Sequence, residues 1–296
     1  MRTAFIQQLV LEARNNPSIF LIVGDLGFSV VEPFAEEFPD RFINAGVAEQ
    51  NMTGIAAGLA KEGYTVITYS IGNFPTLRCL EQIRYDVCYH KLNVKIVAVG
   101  GGYAYGPLGA SHHLTEDYGM LRTIPNLTIC SPGDPIEAKA ITTYIINKNG
   151  PCYLRLGKAG EPKVHKNAIT DQRQSIYHVI FGNRTAILTT GTILKYSFDF
   201  INRNNLRWGL HSFPVIKPLD LEGLKSIANN YDNLITIEDH QRSCGFGSAI
   251  LEGLNDLIQA GELKVAPLIK RVAIPDVFLT EAGSIEFLRE MAGIKL

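Results

Sequence analysis

The sequence lacks the features that mark membrane-bound, secreted and nucleic-acid-binding proteins. Its 28 basic and 29 acidic residues give a net charge of −1, and no basic run offers a surface for a polyanionic backbone. The longest apolar run near the N-terminus, residues 19–23, is too short for a membrane span or a signal-peptide core. We therefore expect a cytoplasmic protein that binds neither nucleic acid nor membranes.

Cysteine is sparse and carries no motif. The five cysteines form no CxxC pair and no Cys/His cluster with the spacing of a zinc site. We expect them to be buried or bystander thiols in a reducing compartment. With 46% hydrophobic and 19% charged residues, the 296-residue chain has the composition of a globular protein and the length for two domains.

What the sequence does contain is an alternation of apolar runs and amphipathic segments. Strand-like runs lie at 19–24, 64–69, 94–99, 127–130, 152–156, 185–191, 207–212, 233–239 and 270–275. Helix-like segments lie at 3–14, 48–62, 76–89, 134–147, 193–203, 221–229 and 247–260. This order predicts parallel sheets covered by helices, in two α/β domains. We place them at residues 1–160 and 184–296, joined by a polar linker at 161–183.

Glu49 is the first candidate functional residue. It lies in INAGVAEQNMTGIAAGLA, in the first turn of a predicted helix with small and apolar neighbours. An acid at this place can simply complement the helix dipole. Alternatively, the carboxylate is held there to bond to a nitrogen of a bound ligand. The pattern alone leaves both interpretations open.

Asn73-Phe74-Pro75 follows a predicted strand, at the edge where parallel α/β sheets bind ligands. Phe74 is either a core aromatic or a stacking platform. Arg78 and Arg84 on the following segment are equally consistent with solvated charge.

The glycine-rich loop GGGYAYGPLGASHHLTED follows the next strand and carries His112 and His113. It matches neither a P-loop nor a GxGxxG fingerprint, and no carboxylate or cysteine spacing completes a set of metal ligands. It is either a polar loop or the lining of a site where protons are exchanged.

In the second domain, EDHQRSCGFGSA joins a strand to a helix through Gly245 and Gly247. We interpret this stretch as a tight turn with Ser243 or Ser248 near the helix cap, rather than as an anion site.

Five motifs in this order resemble the C-terminal half of transketolase-type thiamine diphosphate enzymes. They are AGVAEQNMTGIAAGLA, YSIGNFPTLRCLEQIR, LGASHH followed by LRTIPNLTICSPGDPIEAKA, GPCYLRLGK and IEDHQRSCGFGSAILE. The resemblance covers nearly the whole chain. It implies a pyrimidine-binding domain followed by the transketolase C-terminal domain.

The resemblance implies roles for the residues already marked. Glu49 matches the glutamate that hydrogen-bonds to N1′ of the aminopyrimidine and favours the imino tautomer, whose nitrogen removes the C2 proton of the thiazolium. Phe74 matches the aromatic that stacks on this ring, and Asn73 and Tyr69 complete the implied cofactor contacts. His112 matches a histidine that bonds to substrate oxygens and shuttles protons.

The implied substrate site has further members. Asp25 and Ser29 match positions near the substrate entrance, and His113 lies beside His112. Arg155 matches an arginine that grips a substrate phosphate in many members of the family. Arg78 resembles an arginine of deoxyxylulose-phosphate synthases that would hold a carboxylate or phosphate.

The diphosphate-and-metal motif of the family, GDG followed further along by Asn-Asn, is missing from the sequence. The resemblance therefore implies one subunit of a split transketolase. Its partner is an N-terminal subunit that holds the diphosphate and Mg²⁺, with α2β2 as the expected assembly. The chain starts at Met1 with one short helix before the first strand, so we expect a complete subunit without metal ligands of its own.

Departures from the sugar-phosphate enzymes limit the choice of substrate. Gly100 replaces a histidine and Leu108 replaces an aspartate that normally contact the substrate. We expect two-carbon ketol transfer from a ketose to an aldehyde or keto-sugar acceptor, with a nucleotide-linked sugar as one hypothesis. The alternatives are a 1-deoxyxylulose-5-phosphate-synthase-like or 2-oxoacid-dehydrogenase-β-like subunit with a decarboxylated 2-oxo acid donor, and an idle scaffold. Retention of Glu49 and Phe74 argues against the scaffold.

Overall fold

The computed structural model describes residues 1–171 and 175–296, which alternate between strands and helices. The strands are β1 (Ile19–Val23), β2 (Phe42–Asn44), β3 (Thr65–Ile71), β4 (Val94–Val99), β5 (Thr128–Cys130), β6 (Cys152–Leu156), β7 (Tyr177–Ile180), β8 (Thr185–Thr189), β9 (Gly209–Ser212), β10 (Val215–Lys217), β11 (Asn233–Gln241) and β12 (Leu268–Ile274). The α-helices are α1 (Arg2–Asn15), α2 (Glu32–Glu37), α3 (Glu49–Lys61), α4 (Asp117–Arg122), α5 (Pro135–Asn147), α6 (Ile193–Arg203), α7 (Leu221–Asn230), α8 (Phe246–Gln259) and α9 (Ile285–Met291). A π-helix spans Gln82–Tyr89, and 3-10 turns span Pro39–Arg41, Gly106–Leu108 and Ala110–His112.

The first sheet has seven strands in the order β10-β5-β6-β4-β3-β1-β2, and all neighbours except β10 and β5 are parallel. Strands β1, β4 and β6 are buried at every residue. This burial explains why their sequences lack polar alternation, since helices cover both faces. The predicted parallel α/β architecture is confirmed.

The second sheet has five strands in the order β12-β11-β8-β9-β7, with β7 antiparallel to β9. Strand β7 lies inside the predicted linker at 161–183, so that prediction is wrong for its last part. Residues 172–174 of the predicted linker lie outside the described residues.

The two halves of the chain share one sheet edge. Strand β10 comes from the second half but pairs antiparallel with β5, with Val215 opposite Cys130. An apolar cluster also runs through both halves and joins Ile22 and Ile96 of the first sheet to Leu188 and Leu234 of the second. The two sheets are therefore packed against each other rather than merely linked.

Side-chain caps mark the start of three of the described α-helices. Asp134 caps α5 by accepting bonds from the amides of Ile136 and Glu137, and Pro135 occupies the first turn. Asp220 and Ser284 cap α7 and α9 in the same way. The predicted helix at 76–89 is different, because its regular part is the π-helix Gln82–Tyr89. Within the described ranges, no helix is both long and apolar enough to cross a membrane.

Four of the five cysteines are buried and one, Cys244, is exposed, and none of the five forms a disulfide. This matches the expectation of unpaired thiols.

Candidate active site

The Glu49 carboxylate is buried at the carboxyl edge of the first sheet. Glu49 opens α3 and is 1% exposed. Its Oε1 accepts a hydrogen bond from Ser70 Oγ at 3.2 Å, and its Oε2 accepts one from Arg78 Nη1 at 3.1 Å. The helix dipole explains an acid at this position but not its burial, because an exposed side chain would complement the dipole without a desolvation cost.

Glycine at the end of β1 makes room for this carboxylate. A Cβ built on Gly24 would lie 3.3 Å from Ser70 Oγ and 3.5 Å from both Cγ and Oε1 of Glu49. A larger residue would therefore crowd the carboxylate and its hydroxyl partner. Thr53 Oγ1, one turn along α3, donates to the Glu49 carbonyl at 2.8 Å and fixes the first turn of the helix.

Arg78 lies between Glu49 and the half-buried ring of Phe74. Its Cζ is 4.9 Å from the centroid of the Phe74 ring, while its Nη1 bonds to Glu49. The Arg78 side chain remains 48% exposed. One planar cation thus contacts both a buried carboxylate and an aromatic face, and its own solvent exposure leaves it free to move away.

His112 is brought to the same place by the loop that follows β4. Its ring meets Phe74 edge-on, with 5.5 Å between ring centroids, and its Nδ1 lies 3.0 Å from Ser111 Oγ. Asn73 ties the loop to the end of β3, because its Nδ2 donates to the carbonyls of Ser111 at 3.2 Å and His113 at 2.8 Å. Asn73, Phe74, Arg78 and His112 therefore form one cluster with Glu49.

His113 faces the other side of this loop. It is 6% exposed and its ring meets Tyr103 edge-on at 5.0 Å. Burial lowers the pKa of His113, which favours the neutral imidazole. His113 and Asn73 line a cavity of about 190 Å³, which Phe278 also lines.

Asp25 and Ser29 lie in the exposed loop after β1, at the same edge of the sheet. Both have positive φ, 54° and 63°, a conformation that is uncommon for non-glycine residues and recurs at functional sites. Asp25 exchanges two hydrogen bonds of 3.0 Å with Asn44 at the end of β2, and Ser29 N donates to Glu32 Oε1 at 2.7 Å. No bond of the described residues joins either one to Glu49.

Comparison with known proteins identifies the family to which this chain belongs. The model of the transketolase pyrimidine-binding domain matches residues 1–161, and that of the transketolase C-terminal domain matches residues 178–295. The chain belongs to the transketolase family. An apulose-4-phosphate transketolase subunit of Actinobacillus succinogenes is 30% identical over 98% of this chain and 92% of that protein. The protein of the same description from Phocaeicola vulgatus is 32% identical over 86% and 83%.

A solved structure supports the same assignment for this transketolase-family chain. It is described as a split gene transketolase, inactive β4 tetramer, and is 30% identical with a TM-score of 0.84. The alignment covers 99% of this chain and 93% of that one. The chain therefore contains the pyrimidine-binding and C-terminal domains of the family, and it is similar over nearly its whole length to a split transketolase.

The structure corrects the prediction that Tyr69 contacts the cofactor of the family. Successive side chains of a strand point to opposite faces, and Ser70 points towards Glu49. Tyr69 therefore points away, where it is fully buried and stacks on Phe5 of α1 at 6.1 Å. Burial raises its pKa, so the phenol stays neutral.

The structure also corrects the prediction that Arg155 grips a substrate phosphate. Arg155 is 4% exposed, its Nε lies 3.5 Å from Asp117 Oδ2, and its Cζ lies 4.4 Å from the Tyr118 ring centroid. Burial alone would lower the pKa of Arg155, but Asp117, Tyr118 and Tyr153 together outweigh it and the pKa rises. This guanidinium is already enclosed by protein. Arg84, in contrast, is exposed and pairs with Glu81 at 3.3 Å, as solvated charge does.

The residue that caps α8 was not predicted from the sequence. Glu238 accepts hydrogen bonds from the amides of Phe246 at 2.6 Å and Gly247 at 2.7 Å. The predicted tight turn is present between Gln241 and Phe246, but neither Ser243 nor Ser248 caps the helix. Burial raises the pKa of Glu238 to about 7, against the effect of the two amides.

One group of side chains has the composition of a metal site, Asp134, Glu137 and His165. Asp134 accepts bonds from four backbone amides, two at the start of α5 and two at residues 164 and 165. Glu137 accepts bonds from Gly133 N and Ser212 Oγ and lies 2.7 Å from His165 Nε2. These bonds account for the cluster as a junction between the two halves.

Proposed function

We propose that this chain is the β subunit of a two-chain transketolase that transfers a two-carbon ketol unit from a ketose to an aldehyde or keto-sugar acceptor. The observation that carries the proposal is the buried Glu49 carboxylate beside the half-buried face of Phe74, at the ligand-binding edge of a parallel sheet. The names of the related transketolase subunits support the reaction class.

The residues around Glu49 fit the aminopyrimidine ring of thiamine diphosphate. The Arg78 guanidinium is itself a planar N–H donor that bonds to Glu49 and lies over Phe74. The space between these two residues therefore admits a flat group that donates to the carboxylate. When bound, the cofactor supplies the nucleophilic carbon and the electron sink that ketol transfer requires.

The side chains of the chain would then have separate tasks. Glu49 Oε2 holds the proton shared with the ring nitrogen N1′, and Ser70 fixes the orientation of Oε1 by its hydrogen bond. Phe74 sets the plane of the ring by stacking. His112, held edge-on to Phe74, presents its imidazole to substrate oxygens and can move protons there.

Arg78 must leave its place before a ring can occupy it. Its side chain is 48% exposed, so it can swing towards solvent while staying near the opening of the site. In that position its positive charge would attract a carboxylate or phosphate of the substrate. The packing of Tyr105 against Gly100 favours an acceptor other than the usual sugar phosphates. A Cβ on Gly100 would lie 2.3 Å from a carbon of the Tyr105 ring. The histidine found there in sugar-phosphate transketolases has no room.

We infer that a separate N-terminal subunit holds the diphosphate and Mg²⁺, in an α2β2 assembly with the active site between chains. The sequence lacks the GDG and Asn-Asn motif for that task. Large apolar side chains are also exposed in the loops that follow β1, β2 and β4 of this sheet, with Phe28 at 75%, Val47 at 74% and Leu108 at 57%. Such side chains around a functional edge are what a partner subunit would cover.

Glu49→Gln tests this function in the complex with the N-terminal subunit. Glutamine keeps the shape of the side chain but cannot hold the N1′ proton as a carboxylate does. We expect exchange of the cofactor C2 proton, followed by NMR in deuterated water, to slow by on the order of a hundredfold or more. The complex should still assemble, as judged by size-exclusion chromatography.

Glu62→Gln is the matched control, since Glu62 is an exposed residue at the other end of the same helix. It should leave C2 exchange unchanged. Wild-type exchange in the Glu49→Gln complex would return Glu49 to the helix-dipole interpretation and remove the basis of the proposed function.

A further inference from the structure

The histidine loop, residues 100–116, is fastened at its base by the second half of the chain. We propose that Asp239 and Arg289, both in the second half, are positioning residues that set where the loop presents His112. The base of the loop is closed by two hydrogen bonds of 2.9 Å between Gly102 and Leu114. The substrate role of His112 rests on the proposed function, but the positioning of the loop is a property of this chain alone.

The carboxyl end of β11 packs directly on the base of the loop. Gln241 N donates to the carbonyl of Thr115 at 2.8 Å. Gly102 has a φ of +61°, and a Cβ there would lie 2.5 Å from the Cβ of Asp239. Glycine is therefore needed at this contact both for its backbone conformation and for the close approach.

Arg155 bonds to both the loop and β11. Its Nη2 donates to the carbonyl of Leu114 at 2.6 Å and to that of Asp239 at 2.8 Å. One buried nitrogen thus bonds to the loop and to β11 at once. A shift of Asp239 would therefore break one of the two bonds that orient this nitrogen, whose other bond is to the loop.

Arg289 fixes Asp239 in turn. Arg289 lies on α9 and is 9% exposed, and its Nε donates to Asp239 Oδ1 at 2.7 Å while Nη2 bonds to Oδ2. This two-point pairing sets the orientation of the carboxylate and of the strand end that carries it. The segment before α9 also contacts the loop, because Gly283 N donates to the carbonyl of Gly106 at 3.2 Å.

The far side of the loop is held by the first half. Asn73 bonds to the carbonyls on either side of His112, and the His112 ring meets Phe74. The loop therefore contacts the Glu49 cluster on one side and the strand end that carries Asp239 on the other. The C-terminal half thereby acquires a task in the reaction besides assembly, which is to place His112 over Phe74.

The test uses the intact chain with Arg289→Met, Arg289→Lys and Asp239→Asn. Two signals are measured: hydrogen exchange of peptides from the loop, and the NMR resonance of the His112 ring, which senses the ring current of Phe74. Arg289→Met should speed exchange in the loop by about tenfold and move the His112 resonance towards that of a free imidazole. Peptides from β4 should keep their protection, and Arg289→Lys should partly restore both signals.

Arg184→Met is the matched control, because the Arg184–Asp232 pair is also in the second half but is exposed and far from the loop in sequence. It should change neither signal. Asp239→Asn keeps the volume of the side chain. If Arg289→Met does not fold, the two signals are compared between Asp239→Asn and the wild type instead. Wild-type loop exchange and a wild-type His112 resonance in the folded Arg289 or Asp239 variant would overturn the proposal, even if the variant were less stable.

A second readout separates this inference from the proposed function. In the complex with the N-terminal subunit, Arg289→Met should lower ketol transfer about tenfold and leave C2 proton exchange unchanged, because Glu49 lies outside the loop. Absent C2 exchange in the wild-type complex would refute the proposed function and leave the loop measurements valid. Equal loss of exchange and transfer would overturn the positioning role.

Discussion

Two arginine–carboxylate pairs near the carboxyl edge of the first sheet differ in the access that solvent has to the arginine. In the Arg78–Glu49 pair, 3.1 Å apart, the carboxylate is 1% exposed and the arginine 48%. In the Arg155–Asp117 pair, 3.5 Å apart, the carboxylate is 0% exposed and the arginine 4%. The closed pair can only hold the fold together. The open pair can exchange its arginine for a ligand.

The largest change in the free energy of unfolding should come from breaking the closed Arg155–Asp117 pair. Arg155→Met would leave Asp117 buried without its cation, would remove the Arg155 donor from the carbonyl of Asp239, and would leave the carbonyl of Leu114 with its bond from Gly102 N. Removing one member of a buried pair typically costs about 3–5 kcal/mol. We expect the free energy of unfolding, measured by urea denaturation, to fall by that amount.

Arg14→Met provides the control for this loss. Arg14 pairs with Glu37 on the surface, with the two side chains 53% and 35% exposed, so its removal should not measurably shift the urea midpoint. A fall of less than about 1 kcal/mol for Arg155→Met would mean that the enclosed pair is not structural. Its guanidinium would then again be a candidate for binding substrate.

The free energy of unfolding should also depend on pH through a buried histidine, by a smaller amount. His211 in β9 is buried beside His178, and burial together with that neighbour lowers its pKa to about 3. A depressed pKa stabilises the fold above the unfolded value of about 6.5, and this contribution is lost as the pH falls towards 3. Between pH 6.5 and pH 5 the loss should be about 2 kcal/mol.

His211→Asn checks this pH dependence, because asparagine cannot take up the proton. The loss of unfolding free energy between pH 6.5 and pH 5 should be smaller in the variant than in the wild type by about 2 kcal/mol. His90→Asn, at an exposed position, should keep the wild-type dependence. Parallel curves for the wild type and His211→Asn would show that His211 is protonated equally in both states.

The sequence predicted the sheets better than it predicted the two arginines. Apolar runs such as β4 and β6 are visible because strands buried on both faces need no polar residues. Strand β10 was missed, since three residues that pair with the other half leave no periodic signal. The last part of the predicted linker failed for a related reason, as β7 is an edge strand with one buried residue.

The site was predictable where it depends on the sheet edge and unpredictable where it depends on packing between halves. Phe74 and His112 were marked because they follow strands whose carboxyl ends meet, and Glu49 because it is an acid in the first turn of a helix with small and apolar neighbours. Arg155 also lies on a strand of this sheet, but the second half covers it, and no local pattern reports that contact. Glu238 was missed likewise, because a cap supplied from a preceding strand leaves no signal next to the helix.

The smallest change in the free energy of unfolding should come from breaking the open Arg78–Glu49 pair. Arg78→Met removes a half-exposed cation, so the free energy of unfolding should change by less than about 1 kcal/mol. The same change frees Glu49 and the face of Phe74. The aminopyrimidine fragment of thiamine, titrated into the isolated chain by calorimetry, should therefore bind up to about fivefold more tightly.

The direction of this change separates two roles for Arg78. If its guanidinium competes with the ring for Glu49 and Phe74, its removal strengthens binding; if it helps to hold the ring, removal weakens binding. Arg84→Met, on the same segment but paired with Glu81 at the surface, should leave the affinity unchanged. Weaker binding in Arg78→Met, with Arg84→Met unaffected, would mean that the accessible arginine is part of the cofactor site, and that access to solvent alone does not mark a displaceable group.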